Sequence, residues 1–322
     1  MREGWQRGQQ ALAPGLDLVR DLVGRALPGA RALAAAPVAG GLANTNLRVT
    51  LAGAADPVLL RIYQRDQAEA AKEAALHALV AGRVPVPRFL ARPGLDDASG
   101  LHFAVLEWMP GDRMETVVPG LDPAAAAAVG RSAGAVLAAI HAVGFPAAGF
   151  LGPNLDIVHP VVGGRAGLEG FLRRCLVDGP GGARLGPAAT DAALAFAAAE
   201  GDRLAAWETR ACLVHGDFNG SNLLAAAGRV TAVLDWEFAF AGWPAFDFGN
   251  LLRPPAGDDA SFVAGVEVGY RAAGGHLPAD WRRLAAIADL YAWADFLARP
   301  DATPGLVRDA AAMIRRTIGS GG

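Results

Sequence analysis

Residues 213–249 read LVHGDFNGSNLLAAAGRVTAVLDWEFAFAGWPAFDFG, and the spacing of their polar residues is hard to explain by packing alone. Asp217 is followed by Asn222 five residues later and by Asp235 after thirteen more. Two short apolar runs flank an Ala-Ala-Gly-Arg link at 226–229, and the glycine in this link can adopt a positive φ. The pattern predicts a β-hairpin that brings Asn222, at the start of one strand, close to Asp235, at the end of the other.

The three polar side chains suggest a division of chemical roles. An amide oxygen from Asn222 and a carboxylate from Asp235 would converge, and Mg²⁺ prefers hard oxygen ligands with room left for water and phosphate oxygens. Asp217 lies on the loop before the hairpin, where its carboxylate could receive a proton from an attacking hydroxyl. The alternative is that the two aspartates cap turns while Asn222 bonds its own backbone.

The motif HGDxxxxN at 215–222, followed by LDWE at 234–237, resembles the catalytic loop and metal-binding aspartate of the aminoglycoside phosphotransferase-like family. These proteins are small-molecule relatives of the protein kinases, whose catalytic loop has the same Asp-x4-Asn spacing. The resemblance implies a bilobal α+β, protein-kinase-like fold. A small antiparallel-sheet nucleotide-binding lobe would span residues 1–109, and a mainly helical catalytic and acceptor-binding lobe would span 110–322.

A glycine turn upstream is a candidate contact for phosphate. Gly40 and Gly41 would let the backbone approach a phosphate, and Asn44 would donate to it. The loop matches neither the G-x-G-x-x-G nor the Walker pattern, and an ordinary hairpin turn would look the same.

The resemblance places Arg61 on a strand at the position of the kinase lysine that binds the α and β phosphates. Glu73 then takes the position of the helix glutamate that holds this lysine. The only lysine of the chain, Lys72, lies beside Glu73 on the helix and is not the strand residue. Arginine keeps the charge and adds a bidentate fork, although its bulk changes the geometry. A surface ion pair without function is the alternative.

Residues 105–111, VLEWMPG, resemble the hinge between lobes, where the backbone of Glu107 and Met109 would meet the adenine edge. The resemblance also implies that His141 packs near the catalytic loop and that His215 supports the loop without acting as a base. Asp247 would accept backbone N–H groups from the same loop. Acidic residues of the C-terminal helices would face the acceptor or simply a solvated helix surface: Asp258, Asp259 and Asp295.

Composition narrows the class of protein. The 322 residues are 52% hydrophobic and 19% charged, which is enough apolar sequence for two lobes. The net charge is −3 with no long single-sign block, so nucleic acid is not expected as a partner. Cys175 and Cys212 are not spaced for a metal, which fits a reducing cytoplasm. No signal peptide is expected, and the apolar stretch 124–143 is interpreted as a core helix and not a membrane span.

The implied activity is ATP- or GTP-dependent phosphorylation of a hydroxyl on a small molecule, with Asp217 catalytic and Asn222 and Asp235 holding Mg²⁺. The acceptor would be an aminoglycoside-like antibiotic, an amino alcohol or a sugar, and the oligomeric state is left open. One alternative, motivated by Arg61, is a kinase-like protein that binds nucleotide without transfer. Another is a serine hydrolase using Ser132 in the G-x-S-x-G pattern, but the preceding residues predict a helix and not the strand that this motif needs.

Overall fold

The structure is a computed structural model that describes residues 12–38, 44–64 and 67–319, with only the backbone described at 67 and 68. Its strands are β1 (Ala32–Pro37), β2 (Thr45–Leu51), β3 (Val58–Tyr63), β4 (Phe89–Asp96), β5 (Leu101–Glu107), β6 (Asp112–Arg113), β7 (Gly149–Leu151), β8 (Ile157–Pro160), β9 (Cys212–Val214), β10 (Leu223–Ala226), β11 (Arg229–Val233) and β12 (Phe240–Gly242). Its helices are α1 (Leu16–Ala26), α2 (Gln67–Val80), α3 (Met114–Val117), α4 (Pro123–His141), α5 (Gly164–Arg173), α6 (Gly181–Leu185), α7 (Pro187–Glu200), α8 (Ala245–Leu251), α9 (Ala260–Ala272), α10 (Trp281–Ala298) and α11 (Pro304–Gly319). An antiparallel-sheet region therefore precedes a helical region, which confirms the predicted α+β class.

The N-terminal region is built on a five-stranded antiparallel sheet in the order β1-β2-β3-β5-β4. Helix α1 packs on this sheet through Val19, Leu22 and Val23, which share a buried cluster with strand residues such as Leu60. The helical spacing of apolar residues in this segment predicts that packing, and the structure confirms it. The turn between β1 and β2 lies outside the described residues, and so does the predicted phosphate contact at Gly41.

The edge strand β4 has a weak signal in the sequence and is not among the elements predicted above. Its sequence contains Arg92, Pro93 and Gly94, and its pairing with β5 shifts register between Phe89 and Ala91 and again between Ala91 and Gly94. Proline and glycine weaken a strand pattern because one removes a donor and the other adds backbone freedom. Both are tolerated at an edge, where β4 lies.

The hairpin of β10 and β11 is formed as predicted, with Leu223 paired to Val233. Ala227 and Gly228 at its tip both have positive φ, 49° and 75°, as a type I′ turn requires. Strand β6 adds to the open side of β10, and β12 pairs with β9 in a separate sheet. The last pairing holds the segment after the hairpin against the strand that leads into the HGD motif.

Helices α4 and α9 cross at a close approach made by glycines. A Cβ at Gly134 would lie 2.1 Å from the carbonyl oxygen of Val266, and one at Gly269 would lie 2.0 Å from that of Arg131. Ser132 lies within α4 and its hydroxyl accepts the N–H of Val230 at 3.0 Å. The G-x-S-x-G pattern therefore serves helix packing, and the strand-to-helix elbow of a serine hydrolase is not formed.

Among the described residues, α4 is the helix whose length and apolar composition are compatible with crossing a membrane. In the fold its residues Val129, Ala133 and Leu137 are buried in the main core of the helical region. This core also contains Leu76 and Val80 from α2. The N-terminal and C-terminal regions thus share one apolar cluster, and the lobe boundary between residues 109 and 110 stays a prediction.

Candidate active site

The loop after β9 orients Asp217 through two asparagine side chains. Asn219 Nδ2 donates to Asp217 Oδ1 at 2.5 Å, and Asn222 Nδ2 donates to Asp217 Oδ2 at 2.7 Å. The Asp217 side chain is only partly buried, while both asparagines are buried. Each carboxylate oxygen is thus fixed by one amide, and a single orientation of the group is preferred before any ligand arrives.

His215 supports this loop from inside and is fully buried. Its Nδ1 accepts the Asp217 backbone N–H at 3.2 Å, so the proton is on Nε2, which donates to the Leu234 carbonyl at 3.0 Å. Its ring lies edge-on to Trp236 with centroids 4.7 Å apart. Because both ring nitrogens are engaged, His215 holds the loop to the end of β11 and is not placed to act as a base, as expected.

Asp247 anchors the same loop from α8. Its fully buried carboxylate accepts the backbone N–H groups of His215 at 2.8 Å and Gly216 at 2.9 Å, as the sequence resemblance implies. His141 Nε2 also donates to it at 3.1 Å, and His141 Nδ1 accepts the Tyr270 hydroxyl at 3.0 Å. Burial raises the pKa of Tyr270, so this hydroxyl keeps its proton.

Asn222 and Asp235 are brought together by the hairpin, since the Leu234 N–H donates to the Asn222 carbonyl at 2.8 Å. Asp235 has a left-handed backbone, with φ 58°, and its side chain is 36% exposed. Asn222 uses its amide nitrogen on Asp217, while its Oδ1 has a long 3.4 Å contact with the Ser221 hydroxyl. Two oxygen donors of this kind could hold Mg²⁺, which would need further ligands such as phosphate oxygens and water. Within the described residues, no group of three His, Cys, Asp or Glu side chains is placed to hold a metal without such help.

Arg61 lies at the centre of a buried charge network. Its Nη1 pairs with Glu73, its Nη2 donates to Asp235 Oδ1 at 3.0 Å, and its Nε donates to Asn46 Oδ1 at 3.0 Å. Glu73 also accepts the Tyr63 hydroxyl at 2.8 Å. Burial alone would lower the pKa of Arg61, but the Glu73 and Asp235 carboxylates raise it above its ordinary value. Arg61 and Glu73 are both almost fully buried, so the pair does not lie on the surface.

Lys72 points elsewhere, as the sequence predicts. Its Nζ donates to the Glu237 carbonyl oxygen at 3.1 Å, and burial lowers its pKa. The lysine of this chain therefore helps to fix the segment after Asp235 and leaves Arg61 as the strand cation.

A cleft of ≈ 230 Å³ lies between the two regions. Five predicted residues line it: Arg61, Glu73, Glu107, Met109 and Asp235. Asn44 is described but is not among its lining residues, and the Glu107 N–H is already bonded to the Arg88 carbonyl at 2.9 Å. The Glu107 N–H is therefore not available to an adenine edge in this structure.

Sequence reasoning missed two side chains that orient the charged groups. Asn219 is two residues from Asp217, and that short polar spacing was an available signal for a local side-chain bond. Asn46 faces Arg61 across the β2–β3 pair, and this contact depends on strand register that the sequence alone does not fix.

The other side of the Asp217 loop is aromatic. Phe150 and Phe238 are 54% and 46% exposed, and the Phe150 ring is 5.8 Å from that of Phe240. Phe246 continues the contact at 5.3 Å from Phe240. A Cβ at Gly216 would lie 2.4 Å from the Phe238 carbonyl oxygen, so this aromatic segment directly adjoins the residue before Asp217.

The three acidic residues considered as acceptor contacts have local partners. Asp259 caps α9 by accepting the Phe262 N–H at 2.8 Å. Asp258 pairs with Arg316 at 3.3 Å, and Asp295 pairs with Arg299 at 2.9 Å. These contacts favour the interpretation that the three acids belong to helix ends and surfaces.

A sequence model of the phosphotransferase enzyme family matches residues 34–287. This span includes the sheet region, the loop that carries Asp217, the hairpin and most of the helical region. The chain therefore belongs to the phosphotransferase enzyme family. No curated protein shows a significant match to it in sequence.

Solved structures with a similar fold are phosphotransferases and kinases of small molecules. Macrolide 2'-phosphotransferase MphH from Brachybacterium faecium is 22% identical with a TM-score of 0.65, and the match covers 93% of this chain and 97% of that one. Aminoglycoside phosphotransferase APH(4)-Ia is 18% identical with a TM-score of 0.68, covering 95% and 98%. A putative fructosamine-3-kinase from Thermobifida fusca is 21% identical with a TM-score of 0.63, covering 94% and 100%. At these identities the likeness establishes the protein-kinase-like fold.

Proposed function

We propose that this protein is an ATP- or GTP-dependent, Mg²⁺-dependent kinase that transfers the γ-phosphoryl group to a hydroxyl of a small molecule. The observation that carries the proposal is the orientation of Asp217 by Asn219 and Asn222 beside Asp235. A turn-capping role for Asp217 would not need a carboxylate held by two side-chain amides and left partly open to solvent. Related structures support the nucleotide, since APH(4)-Ia mutants form ternary complexes with ADP or AMP-PNP and hygromycin B.

In the proposed reaction, Asp217 orients the acceptor hydroxyl and takes its proton as the oxygen attacks the γ-phosphorus. The bond between the γ-phosphorus and its bridging oxygen breaks, and the nucleoside diphosphate leaves. Arg61, held by Glu73, binds the phosphates. Asn222 and Asp235 would hold Mg²⁺, which would supply positive charge next to the phosphate oxygens. Transfer then depends on positioning and electrostatics and needs no covalent enzyme intermediate.

For the acceptor we favour a hydroxyl compound with an apolar face. The support is the exposed aromatic surface of Phe150 and Phe238 beside the Asp217 loop, together with the local pairing of the acids at 258, 259 and 295. A polycationic acceptor would gain little from such a surface. Macrolide 2'-phosphotransferases are among the structures with this fold, whereas aminoglycosides, amino alcohols and sugars are the more polar candidates.

The test is release of nucleoside diphosphate across a panel of hydroxyl compounds that pairs apolar-faced acceptors with polycationic and small polar ones. The proposal expects acceptor-dependent turnover with Mg-ATP or Mg-GTP that is lost in Asp217→Ala. Tight AMP-PNP binding without turnover on any acceptor would favour the alternative of a nucleotide-binding protein without transfer. Turnover confined to polycations would reject the apolar acceptor and keep the kinase.

A further inference from the structure

Each of the three guanidinium nitrogens of Arg61 contacts a different segment of the fold. Nε donates to Asn46 on β2, Nη1 pairs with Glu73 on α2, and Nη2 reaches Asp235 after β11. The first two partners belong to the N-terminal region and the third to the helical region. The guanidinium therefore connects the two regions across the cleft, and it also faces the cleft.

A lysine could not make the same three contacts in the same way. Its ammonium is a single point on a flexible stem, whereas arginine presents donors in a fixed plane and in separate directions. The Nε edge is the part of the group that lysine lacks altogether. A hydrogen-bond acceptor for Nε–H can therefore be used at this position only if the residue is arginine.

Asn46 is that partner. It lies directly opposite Arg61 in the β2–β3 register and lines the cleft, and the Nε to Oδ1 distance is 3.0 Å. Without this acceptor, only the contacts of Nη1 and Nη2 hold the guanidinium plane, and its rotation is less restricted. Rotation would move Nη2 away from Asp235 even if the pair with Glu73 survived.

We propose that Asn46 is a positioning residue that fixes the plane of Arg61, so that one edge holds Glu73 while the other reaches Asp235. This contact allows arginine to occupy the place of the kinase lysine. The inference rests on the proposed function, because it concerns how Arg61 is presented to the phosphates of a bound nucleotide.

The test compares Mg-AMP-PNP affinity by calorimetry in the wild type, Asn46→Ala, Asn46→Asp, Arg61→Lys and the Asn46→Ala/Arg61→Lys double variant. Asn46→Ala should weaken binding by about tenfold, the size expected for losing a hydrogen bond to a charged group. Asn46→Asp keeps an acceptor for Nε and should bind within about threefold of the wild type, because the contact survives with a charged partner. In the Arg61→Lys background, Asn46→Ala should have no further effect, because lysine has no Nε–H.

The control is Thr50→Ala, on the same face of β2 but exposed at its far end. It should leave affinity unchanged. An Asn46→Ala effect that persists in the Arg61→Lys background, or one that Asn46→Asp fails to rescue, would overturn the positioning role while the kinase proposal stands. If wild-type protein binds no nucleotide, both proposals fail. A melting-temperature change in Asn46→Ala with unchanged affinity would show a structural role only.

Discussion

Asp217 differs from the other acidic residues of the site in what surrounds it. Glu73 is paired with a cation and Asp247 is buried on backbone N–H groups, whereas the two carboxylate oxygens of Asp217 accept bonds from the neutral amides of Asn219 and Asn222. These donors fix the direction of the carboxylate, and the proposed reaction needs a carboxylate held in one direction toward the acceptor hydroxyl.

Replacing Asp217 with alanine should lower kcat by at least about 100-fold, the lower end of what a general base contributes. Nucleotide affinity should stay within about threefold, because Asp217 takes no part in the contacts that Arg61 makes in the cleft. Steady-state kinetics and AMP-PNP calorimetry measure the two quantities. Asp191→Ala, on the exposed face of α7, is the matched control, and near-normal turnover in Asp217→Ala would contradict the assignment.

In the proposed site Asp235 has two partners, the Arg61 guanidinium and the metal ion, and both contacts are lost when it is replaced. Asp235→Ala should therefore abolish the increase in AMP-PNP affinity that Mg²⁺ gives the wild type. It should also weaken metal-free binding by less than tenfold, since Arg61 keeps Glu73 and Asn46. Calorimetry with Mg²⁺ or with EDTA separates the two effects. An unchanged response to Mg²⁺ would remove Asp235 from the metal site.

At the scale of elements, the contact between α4 and α9 positions the side chains that support the Asp217 loop. His141 at the end of α4 and Tyr270 on α9 meet each other and Asp247. The glycines that let these helices approach therefore contribute indirectly to the position of the loop that carries Asp217. Within α4 these glycines form the G-x-S-x-G pattern, which resembles a hydrolase motif in the sequence. A pattern of small residues does not show which backbone will pack against it.

Gly134→Ala should destabilise the protein by about 1–3 kcal/mol, the usual effect of forcing extra volume into a packed core. The new Cβ would meet the Val266 carbonyl oxygen at 2.1 Å, and this backbone atom can move only if the helices separate. Gly170→Ala in α5 is the matched control because its nearest atom is the Arg174 side chain at 3.6 Å, and it should be neutral or slightly stabilising. Urea unfolding of both variants measures the difference, and equal stability would contradict the packing role of Gly134.

Local elements were largely predictable, whereas contacts between them were not. The apolar spacing of the α1 segment correctly predicts that it packs on the sheet. The glycine link correctly predicts the β10–β11 hairpin. The edge strand β4 was missed because its proline and glycine weaken the local signal. The Asn46 contact was missed for a different reason: pairing register decides which residues of β2 and β3 meet, and neither strand encodes it alone.

For the whole molecule, the candidate nucleotide cleft joins two regions that also share a core. Leu76 and Val80 carry the end of α2 into the helical region, while Glu73 on the same helix faces the cleft. Arg61 and Asp235 link the regions a second time, through charge. A ligand that binds in the cleft should therefore affect both connections, the shared core and the Arg61–Asp235 contact.

A bound nucleotide should therefore stabilise both regions as one unit. Mg-AMP-PNP at about 100 times its Kd should add about 2.7 kcal/mol to the free energy of unfolding. Amide hydrogen exchange should slow in β3 and in α8 together, because opening either region would release the ligand. In Asp235→Ala, Mg²⁺ should add no protection to that given by nucleotide alone. Protection confined to β3 in the wild type would mean that the ligand stabilises the sheet region by itself, and the cleft would then not couple the two regions.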